Sequence, residues 1–181
     1  MVRIENAHHG TSKEAGTAIV CSGEFLISTR PLLWLGDGAY FFNNDKKIAK
    51  EWCISEGYKK SYVEYTIIEA RININTDEEM LDLNKPDNRK MFHAHREIVR
   101  DQFKKRRIGV KGKTDFFDGQ IINDLCKVAE YKVVMQDMFI QLSKDRILKT
   151  LSRVPNCTVI SVRDTNYIEA PKIVEEGVLN G

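Results

Sequence analysis

Gly36-Asp37-Gly38-Ala39-Tyr40-Phe41-Phe42 is the stretch on which the reading of this chain turns. Two glycines one residue apart let a backbone turn pass close to another group with no Cβ in the way. The aromatic run behind them offers a flat apolar wall of the kind that receives a planar ring. Upstream, His9-Gly10-Thr11 leads into Thr11-Ser12-Lys13-Glu14, which fits a capping box with Thr11 as N-cap and Glu14 reaching back. Ala15, Ala18 and Ile19 then recur on one helical face as far as Gly23, so His9 falls at the end of a strand or turn. Downstream, a second helix is expected from Asn44 or Asp45, burying Ile48, Ala49, Trp52 and Cys53 and stopping at Gly57. The glycine motif therefore lies between a strand and a helix.

Further along, Tyr62 to Asn75 alternates and is rich in β-branched residues, which predicts one or two strands. Pro86 opens an amphipathic helix in which Met91, Phe92, His95, Ile98, Val99 and Phe103 repeat at three-and-four spacing. Strands are expected at Gly119 to Ile122, Tyr131 to Met135, Met138 to Leu142 and Thr158 to Val162, with a short helix from Lys144 to Leu151. Glu175 to Gly181 is expected to fray.

Composition sets the outer limits. At 181 residues the chain is most economically one domain, residues 1–181, and 42% hydrophobic with 30% charged residues is the balance of a soluble globular protein. No apolar run approaches the ~18 residues of a membrane span, and no apolar segment follows Met1, so no membrane and a cytoplasmic location are expected. The four cysteines are scattered without a C-x-x-C pair, and His93 and His95 on a helix point apart, so no metal is expected. A net charge of +2 leaves any nucleic-acid affinity to a local patch, and Lys104, Lys105, Arg106 and Arg107 form one at a helix end. The alternative for that cluster is a solvated, dipole-compensating helix terminus.

Taken together, His9-Gly10-Thr11, the helix after it and Gly36-x-Gly38-x-Tyr40-Phe41 resemble the ADP-ribosyltransferases of the diphtheria-toxin and poly(ADP-ribose) polymerase group, and especially small bacterial or phage members. The resemblance implies an α+β fold in which two small, roughly perpendicular sheets with flanking helices enclose an NAD cleft. It implies that His9 bonds the adenosine ribose, that Gly10 pairs with the nicotinamide carboxamide beside Thr11, and that Gly38 lets the backbone approach. Tyr40 would stack on nicotinamide, with Trp52 completing the sandwich. NAD would be a substrate, cleaved at a bond where positive charge develops on the sugar, and ADP-ribose would pass to a protein or nucleic acid. Toxin, defence or host-modifying roles, and an antitoxin partner, belong to the same expectation.

The third catalytic element has two homes. Asp118-Gly119-Gln120-Ile121-Ile122 followed by Glu130-Tyr131-Lys132-Val133 resembles the family's acid-bearing strand, with Glu130 as the catalytic acid. Thr158-Val159-Ile160-Ser161-Val162-Arg163-Asp164 resembles a strand in which a glutamine serves, and here Val159 fills that slot with a side chain that neither donates nor accepts. The second register would make the chain an inactive NAD or ADP-ribose binding module; a separate alternative, built on the basic helix end, is a nucleic-acid-binding protein with a degenerate cleft. A dinucleotide-fold reading of Gly36-x-Gly38 fails because the third glycine is missing.

Overall fold

The structure, a computed structural model, describes residues 1–30, 33–60, 62–106 and 117–179. Seven strands lie within them: β1 (Val2–Ser12), β2 (Ala39–Asn43), β3 (Glu64–Ile74), β4 (Met80–Asp82), β5 (Val133–Met138), β6 (Cys157–Val162) and β7 (Ile168–Val178). They form one mixed sheet in the order β4-β5-β6-β2-β1-β3-β7, in which only β4 and β5 run parallel. The described residues also form five helices: α1 (Lys13–Ser22), α2 (Lys46–Lys60), α3 (Pro86–Arg106), α4 (Phe117–Ala129) and α5 (Ser143–Leu148), the last against α2. The fold is α+β, as expected, but one hydrogen-bonded sheet replaces the expected two. The join between β1 and β2 is short, with two residue pairs, Ala7 with Asn43 and His8 with Phe42, against nine between β1 and β3.

Strand alternation sends successive side chains to opposite faces. One face carries Phe42, Ile67, Leu81, Val134 and Val159 beneath α2, α3 and α4, whose Ala49, Cys53, Phe92, Val99, Ile121, Ile122 and Leu125 close over them. The other carries Phe41, Ile68, Val133, Ile160 and Val162, covered by Ile19 of α1 and by Phe25. Each fully buried aliphatic or aromatic side chain contributes about 1.5–3 kcal/mol relative to exposure, so this two-faced burial is what fixes strand register. A slip of one residue would exchange the two cores.

Several boundaries differ from expectation. The N-cap of α1 is Ser12, whose Oγ accepts from the Ala15 amide at 3.3 Å, while Thr11 stays in β1 because it pairs with Thr66 of β3. Gly23 does stop α1, with φ of 77° and its amide on the Ile19 carbonyl. Asp45 caps α2 through Ile48, but Gly57 does not stop it, and the helix runs on to Lys60. The expected strand at Gly119 to Ile122 is the first half of α4: Ile121, Ile122, Leu125 and Cys126 bury one helical face. Gly119 suits that helix because the loop from Leu33 to Gly36 runs against it, and a Cβ there would collide with the Leu33 carbonyl oxygen. β5 extends to Met138, residues 139–142 form no strand, and the segment expected to fray begins inside β7, which pairs with β3 from Glu64 to Ile72.

Candidate functional site at the β1–β2 junction

His9 and Tyr40, thirty-one residues apart, meet where β1 and β2 stop pairing. The His9 Nδ1 lies 2.8 Å from the Tyr40 carbonyl oxygen. A carbonyl only accepts, so Nδ1 carries the proton in this contact. The imidazole also packs against Phe25 and Phe41, each at 5.5 Å between ring centroids, and so belongs to the α1 face of the sheet. Tyr40 and Phe42 belong to the opposite face. The junction thus unites His9 with the Tyr40 backbone while placing the two rings on opposite sides.

Tyr40 is tied to its own motif. Its hydroxyl donates to the Gly36 carbonyl at 2.6 Å and accepts from the Leu35 amide at 2.9 Å, and burial pushes its pKa up to about 12. The turn before it is held from two more directions. Asn123 of α4 accepts from the Asp37 amide at 2.7 Å and donates to the Asp37 carboxylate at 3.0 Å, while Ser161 and Arg163 of the β6 end both donate to the Asp37 carbonyl, at 3.2 and 3.0 Å. Gly36 sits at φ of 73°, and Gly38 pairs as an isolated bridge with Ser28. The Gly-Asp-Gly segment is therefore a braced turn, with its backbone polar groups largely occupied.

Gly10 lies directly under α2. A Cβ there would stand 2.5 Å from the Cys53 Cβ and 2.7 Å from the Ala49 carbonyl, so the close approach of helix to strand requires glycine. Beside it the Thr11 carbonyl is capped by the Cys53 thiol at 3.3 Å. Trp52, on the same helix, packs edge-on against Trp34 at 4.9 Å, with the Arg146 guanidinium 5.3 Å from its centroid and bonded to Ser55. Its sandwich in this structure is thus with Trp34 and a cation.

Glu130 does not lie on a strand, which corrects the expectation drawn from the Glu130-Tyr131 register. It follows α4 in a left-handed turn at φ of 57°, because the helix ends there, and its side chain is exposed. It lines an open cleft of about 450 Å³ with Lys127, Lys132 and Arg163 among the other walls. Val159 is on a strand, paired with Phe42 of β2 and Gln136 of β5, and is 1% exposed in an apolar core. Of the basic cluster, Lys105 is exposed at the end of α3, the side chains of Lys104 and Arg106 are not among those described, and Arg107 lies outside the described residues. His95 bonds Asp124 across α3 and α4 at 2.8 Å, and among the described residues no three His, Cys, Asp or Glu side chains are grouped to hold a metal ion. No described helix is long and apolar enough to cross a membrane.

Asn123, Ser161 and Arg163 were given no role by the sequence, yet they hold the glycine turn. The signal for Asn123 is a polar residue one turn beyond Gly119 and beside buried Ile122, visible only once the segment is read as a helix. No protein-family model matches the chain, and neither does a curated protein or a solved structure.

Proposed function

We propose that this chain binds NAD where β1 and β2 part and transfers ADP-ribose to a macromolecular acceptor, protein or nucleic acid. The observation that carries the reading is the 2.8 Å contact between His9 and the Tyr40 backbone, which joins the two motifs of the resemblance at one point of the fold. The short β1–β2 ladder adds support: the single seven-stranded sheet narrows there to two residue pairs. In that reading His9, Gly10 and Thr11 meet the adenosine side and the carboxamide. Gly38, Tyr40 and Trp52 meet the nicotinamide, after the Tyr40 hydroxyl or the Trp34–Trp52 contact gives way. Glu130 supplies the carboxylate that steadies the ribosyl cation. Toxin, defence or host-modifying action with an antitoxin partner is the biological setting that the resemblance suggests.

A second reading, a non-catalytic NAD or ADP-ribose binding module, is favoured by one specific observation. The strand next to β2 offers Val159, buried and apolar, while Glu130 stands on a turn.

One experiment addresses both. The protein is incubated with labelled NAD and whole-cell extract, and the labelled product is treated separately with protease and nuclease. Label that one of these treatments releases, and that falls by about two orders of magnitude in Glu130→Gln, is the expected result for transfer. Saturable NAD binding without label supports the module. Absence of NAD binding in calorimetry overturns both.

A further inference from the structure

The open cleft at the C-terminal end of α4 is polar in an uneven way. Its cations come from three different elements: Lys127 from the last turn of α4, Lys132 from the entry to β5, and Arg163 from the end of β6. None of the three makes an ion pair with a carboxylate among the described residues. Lys127 suits the negative end of the α4 dipole, which by itself explains its presence. Lys132 has no such explanation, and the bond of Arg163 to the Asp37 carbonyl uses only one of its donors.

These two are held side by side by backbone. The Arg163 amide donates to the Lys132 carbonyl at 2.8 Å, and the Lys132 amide donates to the Glu79 carbonyl at 2.8 Å. The Arg163 guanidinium is further pinned by one bond, Nη1 to the Asp37 carbonyl at 3.0 Å, which leaves most of its donors unused. On the acidic side, Asp164 is occupied in accepting from the Asn166 amide at 3.1 Å, as the cap of the short 3-10 turn Thr165–Tyr167. Glu130 is then the one carboxylate of the lining without such a bond, and it is exposed. Ile27 and Tyr131 give the cleft an apolar side opposite in character to its cations.

We propose that this cleft is a nucleotide-phosphate site, in which Lys132 and Arg163 take the phosphate and Tyr131 with Ile27 receives the base. A pinned guanidinium beside an ammonium matches phosphate oxygens through charge-assisted bonds, and about 450 Å³ is the size of a small-ligand pocket rather than of a single ion. Arg163 links the cleft to the glycine turn through the Asp37 carbonyl, but neither Lys132 nor Arg163 has a part in the NAD reading, and the cleft stands whether or not Glu130 acts on NAD. The phosphate has two sources of the same chemistry, a free nucleotide or one unit of a single strand.

The test is titration of the whole chain with adenosine monophosphate and, separately, with a short single-stranded oligonucleotide, followed by amide resonances. Shifts are expected at Lys127, Lys132, Arg163 and Thr165. Lys127→Gln/Lys132→Gln, which alters half-exposed and exposed side chains and leaves the Arg163 brace in place, should weaken binding at least about tenfold. Equal affinity for both ligands assigns the site to a free nucleotide. A tighter oligonucleotide with a steeper salt dependence assigns it to a strand. No shift at millimolar ligand, or unchanged affinity in the folded double variant, overturns the proposal. Binding here and ADP-ribosyl transfer are read by separate assays, so the failure of one is distinct from the failure of the other.

Discussion

Asn123 and Asp37 bond each other twice: the Asn123 carboxamide accepts from the Asp37 amide at 2.7 Å and donates to the Asp37 carboxylate at 3.0 Å. This pair clamps the Gly-Asp-Gly turn to α4 across eighty-six residues of sequence. Asn123→Ala leaves the Asp37 amide without its acceptor, an omission that costs about 1–3 kcal/mol when the group is buried. Urea denaturation is expected to show a midpoint lowered accordingly, with an unchanged m-value. A neutral result would mean that Ser161 and Arg163 brace the turn without help.

Tyr40→Phe separates bracing from stacking. The variant keeps the ring but removes the hydroxyl that serves Leu35 and Gly36. A stability loss of about 1–3 kcal/mol with NAD affinity retained is expected, whereas Tyr40→Ala should weaken NAD binding as well. Calorimetric titration beside thermal denaturation reads both quantities. Full stability in Tyr40→Phe would show that the turn does not depend on its tyrosine.

Gly10→Ala forces a methyl group against Ala49 and Cys53 of α2. Overpacking of this kind costs about 1–3 kcal/mol, and a chain of this size loses roughly 2–4 °C of melting temperature per kcal/mol. The obstruction includes a backbone carbonyl, so shortening the Cys53 side chain in Gly10→Ala/Cys53→Ala should not restore the wild-type temperature.

His8 gives the fold a pH dependence. It is buried with its Nε2 3.3 Å from Glu69, and burial holds its pKa below the ordinary 6.5, outweighing Glu69 and Asp45 while Lys46 acts with it. The unfolded chain therefore binds the proton more readily, so stability rises with pH between the folded and unfolded pKa values and falls as pH drops below about 6.5. One proton limits that slope to about 1.4 kcal/mol per pH unit. Glu69, whose carboxyl Lys172 holds below its usual value, contributes stability that is present above its unfolded pKa near 4.5 and lost as pH falls through its folded pKa. Denaturation curves between pH 7 and 5 should flatten in His8→Gln, and an unchanged profile would assign the dependence elsewhere.

What the sequence made legible was local. Gly23 ends α1, Pro86 begins α3, and the β-branched run of β3 is visible without any partner. In α4, Asp118 to Ile122 resembles a strand motif, while its own spacing, Ile121 and Ile122 to Leu125 and Cys126, is helical. The misplacement of Glu130 follows from that one resemblance. β7 was illegible for a different reason: it is an edge strand with mostly exposed or half-exposed side chains, and its only reason to be extended is β3, about a hundred residues away. At the site, the contact between the His9 ring and the Tyr40 backbone, with the two rings on opposite faces of the sheet, was not legible, because it depends on how β1 and β2 pair. Nor was the clamp by Asn123, because a helix must be assigned before its polar residue can be seen as misplaced.

The two-pair join between β1 and β2 also bears on how the molecule can be divided. Following the chain through its strands, it passes from one side of that join to the other four times, between β1 and β2, β2 and β3, β3 and β4, and β6 and β7. Each half is thus threaded from separated segments, and no single cut yields a fragment that consists of one half alone. Covalent connectivity laces the junction like a boot, so that neither side can part from the other even though only two residue pairs join them.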